Sequence, residues 1–157
     1  MGLEIERKFR VDAAAWVPQG PGVHFAQGYV CSGPDHAVRV RVAGDQGFLT
    51  LKGPTCGLSR LEFEYPIPLE DAREMLHELC GAAVLEKRRH REVHGGKTWE
   101  IDVFLGANAG LVLAEIELAS EGEAFLSPPW LGSEVSGDPR FTNANLARAP
   151  FGTWTGA

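Results

Sequence analysis

The residues best equipped for chemistry open the chain, where Glu4, Glu6 and Lys8 stand two apart within G-L-E-I-E-R-K-F-R-V. Side chains alternate faces along a strand, so these three share one face while Leu3, Ile5 and Phe9 share the other. The same spacing returns at Arg39 and Arg41, Thr50 and Lys52, Glu62 and Glu64, Lys87 and Arg89, Glu100 and Asp102, and Glu115 and Glu117. One charged pair on a strand is ordinarily a solvated face. Its recurrence in strand after strand, with both signs, points instead to a closed sheet with a polar interior. Two like charges about 5 Å apart repel by roughly 3 kcal/mol at an effective dielectric near 20, so clustered carboxylates take up protons or bind cations. A hard divalent ion such as Mg²⁺ takes oxygen ligands and joins one or two carboxylates to phosphates. The six bases Lys8, Arg39, Arg41, Lys52, Lys87 and Arg89 then require an anion with charge spread along it, and a polyphosphate is such an anion.

The elements that must position these groups are mostly strands. Period-2 patterning predicts strands over 2–11, 23–31, 37–42, 48–52, 59–65, 84–93, 97–105 and 111–119. On the second, Phe25, Gln27, Tyr29 and Cys31 share a face. Gly44-Asp45-Gln46-Gly47 and His94-Gly95-Gly96 read as hairpin turns, and 53–57 as a loop that could move. Ala72, Met75, Leu76, Leu79 and Cys80 recur at helical spacing, which predicts a helix over 69–80 stopped by Gly81 and packed outside the sheet. Asp12 caps a short predicted helix to Trp16, a short strand is expected near 133–136, and Thr142 or Asn143 caps a brief helix to Arg148. The apolar face of 111–119 is expected to point outward, toward helices. The fold class expected is β-rich α+β, an eight-stranded antiparallel closed barrel with a few helices outside, whose interior holds side chains or one small ligand.

At 157 residues the chain suits a single domain, expected over 1–147 with a loosely held tail over 148–157. Its net charge of −6 speaks against a nucleic-acid partner. Cys31, Cys56 and Cys80 lack metal or redox spacing and read as free thiols in a reducing compartment. No apolar run reaches 18 residues and no export signal opens the chain, so the expected location is cytoplasmic, with no membrane partner. His90 and His94 read as surface histidines, and Trp99, Trp130 and Trp154 as packing residues.

The E-x-E-x-K of Glu4, Glu6 and Lys8 resembles the signature of the CYTH domain, or triphosphate tunnel metalloenzyme, family. The resemblance continues through Gln27-Gly28-Tyr29, Arg39-Val40-Arg41, Thr50-Leu51-Lys52, Arg60-Leu61-Glu62-Phe63-Glu64, Lys87-Arg88-Arg89, Trp99 to Phe104 and Glu115-Ile116-Glu117. It implies an eight-stranded tunnel that hydrolyses a triphosphate with Mg²⁺ or Mn²⁺. Carried onto this chain, Glu4, Glu6, Glu115 and Glu117, with help from Asp102, would hold the metal. Lys8, Arg39, Arg41, Lys52, Lys87 and Arg89 would hold the phosphates. Glu62 and Glu64 would bind a second metal through waters or orient the attacking water.

The reaction expected is in-line attack of a metal-positioned water on a terminal phosphorus, without a covalent enzyme intermediate. Glu62, Glu64 or the Tyr29 phenol would take the proton, and Lys8 completes the catalytic set. Inorganic tripolyphosphate is the expected substrate, because little of the chain is left to build a pocket for a base or a thiazolium ring. Thiamine triphosphatase, nucleoside triphosphatase and class IV adenylate cyclase activities remain open, as does a non-catalytic binder of polyphosphate or nucleotide. A homodimer is one open oligomeric state.

Overall fold

Residues 2–154 are described by the computed structural model. Nine strands make one antiparallel sheet: β1 (Gly2–Val11), β2 (Val23–Ser32), β3 (Ala37–Ala43), β4 (Gln46–Cys56), β5 (Ser59–Ile67), β6 (Val84–His94), β7 (Lys97–Phe104), β8 (Val112–Glu117) and β9 (Leu131–Glu134). Their order is β5-β4-β3-β2-β6-β7-β8-β1-β9, and a β5–β1 pairing closes eight of them into the expected barrel. Strand β1 makes closure possible by pairing on both edges. Glu6–Arg10 pair with β8, while Gly2–Ile5 pair with β5 and Phe9 and Val11 with the additional strand β9. The register sets the charged residues opposite one another: Arg39 faces Thr50, Lys52 faces Glu62, Arg89 faces Asp102, and Glu115 faces both Glu100 and Lys8. Between β6 and β7, Gly95 and Gly96 have φ of 59° and 76°, as a two-residue type I′ turn requires at both positions.

Two apolar clusters coat the outside. On β1, β7 and β8 the residues that alternate with the charged ones, among them Phe9, Trp99, Ile101, Ala114 and Ile116, are buried with Trp16 and Trp130. This is the outward apolar face that the sequence predicts. Its cover, however, is the irregular stretch around Phe125 and Trp130 rather than a helix. Helix α1 (Leu69–Glu78) lays Ala72, Met75 and Leu76 over Val40, Val42 and Leu49, outside β3 and β4. Leu79, expected in that stripe, is 57% exposed because the helix has ended and Gly81 follows with φ 58°.

The third cluster lies on the lumenal face. Leu85, Phe104 and Leu113 follow the same alternation as Lys87, Asp102 and Glu115, and they pack against Val135, Phe141 and Leu146. Helix α2 (Asn143–Arg148), capped by the Thr142 side chain, therefore helps to close one end of the lumen instead of coating the outside. The interior is polar over part of its length and apolar at this end.

Three further expectations change. Strand β4 continues through 53–56 with a register shift between Lys52 and Thr55, held by Arg60 Nε donating to Gly53 O at 2.5 Å. Asp12 to Trp16 forms one turn, not a helix, with Asp12 O accepting from the amides of Ala15 and Trp16. The segment after Arg148 is packed as far as Trp154. Phe151 N donates to Asn108 Oδ1 at 2.8 Å, and Trp154 lies edge-on to Phe141 and Phe151. Residues 155–157 of the expected tail lie outside the described residues. The three cysteines are free. No helix among the described residues is long and apolar enough to cross a membrane.

Candidate active site

The basic half of the lumen is assembled around an aromatic ring and a buried carboxylate. The guanidinium carbons of Arg41 and Arg89 lie 4.9 and 5.0 Å from the ring centroid of buried Phe25, and Lys87 Nζ lies at 5.8 Å. Attraction of about 0.5–2 kcal/mol per cation to the ring face offsets part of their mutual repulsion. Asp102, 1% exposed, accepts from Lys87 Nζ at 2.8 Å and from Arg89 Nε and Nη2 at 2.7 and 2.8 Å. Burial would raise its pKa, but Lys87 and Arg89 hold it below the usual carboxylate value. Burial pushes Lys87 down to about 8 against the pull of Asp102, while Arg89 rises well above its ordinary value despite burial. The sequence reading set Asp102 among the metal ligands. In this structure both of its oxygens accept from Lys87 and Arg89.

Glu64 plays a similar part for the arginines of β3. It accepts from Thr50 Oγ1 at 2.8 Å, from Arg41 Nη2 at 3.1 and 3.2 Å, and from Arg39 Nη2 at 3.3 Å. Lys52 Nζ sits 3.2 Å from Glu62 and 3.7 Å from Glu4. Lys8 Nζ donates to Phe141 O at 3.2 Å and lies 3.8 Å from Glu115, which Arg89 also approaches at 3.8 Å.

The acidic half is crowded enough to hold protons. Burial and a hydrogen bond with Glu62 push Glu4 up to about 8, whereas Glu62, despite burial, is held at about 2 by that hydrogen bond and by Lys52 and Arg39. Burial and the charge of Glu115 push Glu6 well above the usual range, while Glu115, although buried, is held well below it by Lys8 and Arg89. The upward shifts of Glu4 and Glu6 have the cause expected of crowded carboxylates, burial beside other negative charges. A hard divalent cation would supply the same positive charge, so the donor set fits Mg²⁺ or Mn²⁺. Among the described residues no three such side chains yet stand at metal-ligating spacing. Glu117 is exposed at the end of β8, across from Glu6, and would reach a cation from the rim.

The lumen opens into a cavity of about 590 Å³ whose lining includes Glu4, Glu6, Lys8, Tyr29, Lys52 and Arg60. The structure thus joins Glu4, Glu6, Lys8, Tyr29 and Lys52 at the mouth. Arg39, Arg41, Glu62, Glu64, Lys87, Arg89, Asp102 and Glu115 form the linked ion pairs of the wall. Sequence reasoning missed three contributors. Phe25 was placed on the right face, but its role appears only where three strands meet. Thr50, named in the sequence only as the polar partner of Lys52, is fully buried and bridges Glu64 and Arg39. Ser136 Oγ accepts from Lys8 N at 2.9 Å and, with Phe141 O, fixes Lys8 from a segment that has no periodic pattern.

Comparison with known proteins agrees with this architecture. The family model described as "CYTH domain" matches residues 2–142. An inorganic triphosphatase of Acetivibrio thermocellus is 50% identical over 151 residues, covering 96% of this chain and 97% of that one. An inorganic triphosphatase of Nitrosomonas europaea is 40% identical over 150 residues, covering 92% and 96%. The crystal structure of an inorganic triphosphatase superposes with a TM-score of 0.65 at 37% identity, covering 92% of this chain and 93% of that chain. The barrel, its charged lumen and a match running through nearly all of its strands make this chain a member of the CYTH domain family.

Proposed function

We propose that the protein hydrolyses a triphosphate with a bound Mg²⁺ or Mn²⁺, and that its substrate is inorganic tripolyphosphate, cleaved to pyrophosphate and phosphate. The observation that carries this reading is the pairing, within one lumen, of a wall of fixed cations with a cluster of carboxylates. Glu4, Glu6 and Glu115, with Glu117 at the rim, would hold the cation, which when bound neutralises charge on the phosphoryl oxygens. Lys8, Lys52, Arg39, Arg41, Lys87 and Arg89 bind the phosphates and stabilise the charge that builds as the anhydride breaks.

Glu62, kept ionised by Lys52 and Arg39, would accept a hydrogen bond from the attacking water and aim it at phosphorus. Glu64 and Asp102 orient the arginines and Lys87. Tyr29, at the mouth, is the second candidate to take the water's proton. The reading extends to a cytoplasmic protein, which the free thiols support, and to a homodimer. Leu3, Leu61, Phe63, Leu51 and Tyr65 are exposed on the outer face of β1, β5 and β4, with Leu3 opposite Leu61 and Leu51 opposite Phe63. An apolar strip of this kind marks a contact surface.

The choice of an inorganic substrate is supported by the names of the relatives and by a mouth with only Tyr29 to offer a ring for stacking. Phosphate release over a panel of tripolyphosphate, ATP and thiamine triphosphate, with Mg²⁺ and with Mn²⁺, tests it. The expected result is a kcat/KM for tripolyphosphate at least tenfold above the others. Equal values for ATP would overturn the substrate, and no turnover on any would favour a binder.

A further inference from the structure

Six buried side-chain N and O atoms have no hydrogen-bond partner among the described residues, and four of them lie on two adjacent strands. They are Nε2 and Oε1 of Gln27 on β2, and Nε of Arg39 and of Arg41 on β3. Gln27 is fully buried and stands opposite Arg41 in the register, with Arg39 opposite Tyr29 one step along the same face. Alternation puts Gln27 between Phe25, the ring that the cations surround, and Tyr29, which lines the mouth cavity. Directly opposed residues of an antiparallel pair are about 5 Å apart at Cβ, so these groups face the same short stretch of lumen.

A buried amide with no partner destabilises the fold that contains it. This one sits in a wall whose other polar groups are tied into ion pairs, and the N–H groups around it are donors seeking an acceptor. We infer that Gln27 is a substrate-binding residue whose Nε2 hydrogens, with the Nε–H of Arg39 and Arg41, donate to non-bridging oxygens of the phosphoryl group held against β2 and β3. The inference rests on the reading of the lumen as a triphosphate site. A neutral donor has a particular merit here. Arg41 is already pushed down to about 10 by burial and by Arg39, and a further cation would add to that repulsion. An amide adds a hydrogen bond to the anion without adding charge to the basic wall.

The test compares wild type with Gln27→Met, which keeps length and volume but removes both polar atoms, and with Gln27→Glu. Steady-state kinetics on tripolyphosphate with Mg²⁺ are measured well below the melting temperature, alongside the melting temperature of the metal-free proteins. Gln27→Met is expected to lose about 10- to 100-fold in kcat/KM, mostly through KM. Its melting temperature should be equal to or above wild type, because an unpaired amide has been removed. Gln27→Glu is expected to raise KM further, since its carboxylate engages Arg41 and repels phosphate. A Gln27→Met protein with kcat/KM within about twofold of wild type, or one that only melts earlier with full activity in its folded form, would overturn the inference. Should wild type fail to hydrolyse tripolyphosphate, the proposed function falls on its own. Calorimetric binding of tripolyphosphate to the same three proteins then decides the role of Gln27.

Discussion

At the scale of single residues, the two carboxyl pairs Glu4–Glu62 and Glu6–Glu115 show how one lumen can serve protons and a metal. Glu4 ionises near 4.5 in an unfolded chain but at about 8 in the fold, so the folded protein keeps a proton that the unfolded one has lost. The stability from this proton is complete below pH 4.5 and drains away as pH rises toward 8. The metal-free melting temperature should therefore fall between pH 5 and 8, Glu4→Gln should flatten that fall, and saturating Mg²⁺ should reverse it. Titration of Mg²⁺ at pH 7 should also release protons, seen as a heat that depends on the ionisation enthalpy of the buffer. An identical pH slope in wild type and Glu4→Gln would contradict the assignment. The identities of these residues were legible in the sequence because a strand's alternation sorts them onto one face. Which carboxylate stays ionised was not, since that depends on Lys52, Arg39, Lys8 and Arg89, which arrive from other strands. The commitment of Asp102 to Lys87 and Arg89 escaped notice for the same reason.

At the scale of elements, the hairpins were readable because their signals are local. Gly95-Gly96 permits only a tight turn, and Ala72, Met75 and Leu76 recur at helical spacing. The continuation of β4 through Pro54 was not readable, because a bulge held by Arg60 looks like a loop in the local pattern. The C-terminal segment was the least legible part. It docks on the barrel through Phe141, Leu146 and Val135, and it contacts Lys8 through the Phe141 carbonyl, the Ser136 hydroxyl and the Val135 amide. Phe141 is 3% exposed, so Phe141→Ala should cost about 3–5 kcal/mol of stability. It should also reduce kcat more than binding, because the segment that presents the carbonyl to Lys8 loses its anchor. Thermal denaturation together with steady-state kinetics checks both. A destabilised variant with unchanged kcat would show that Lys8 is positioned without the segment.

At the scale of the whole molecule, a small barrel can keep its centre polar because its apolar surface is spent elsewhere. Trp99 and its neighbours, the α1 contact and the plug at one end of the lumen each form a separate core. The strip of Leu3, Leu61, Phe63, Leu51 and Tyr65 is the apolar surface left over. If a second copy covers it, light scattering will report twice the chain mass, and Leu61→Glu combined with Phe63→Glu will report a single chain with activity per chain retained. A wild-type monomer at high concentration would remove the homodimer from the account. Whether opposed cations and carboxylates in one lumen perform metal-dependent hydrolysis can be read from a single assay. That measurement is phosphate release from tripolyphosphate by wild type, Glu4→Ala and Lys8→Ala, each with Mg²⁺ and with excess chelator. Wild type should turn over only without chelator, and each variant should lose about 100-fold or more. Full metal-dependent turnover by either variant, or none by wild type, would contradict this mechanism.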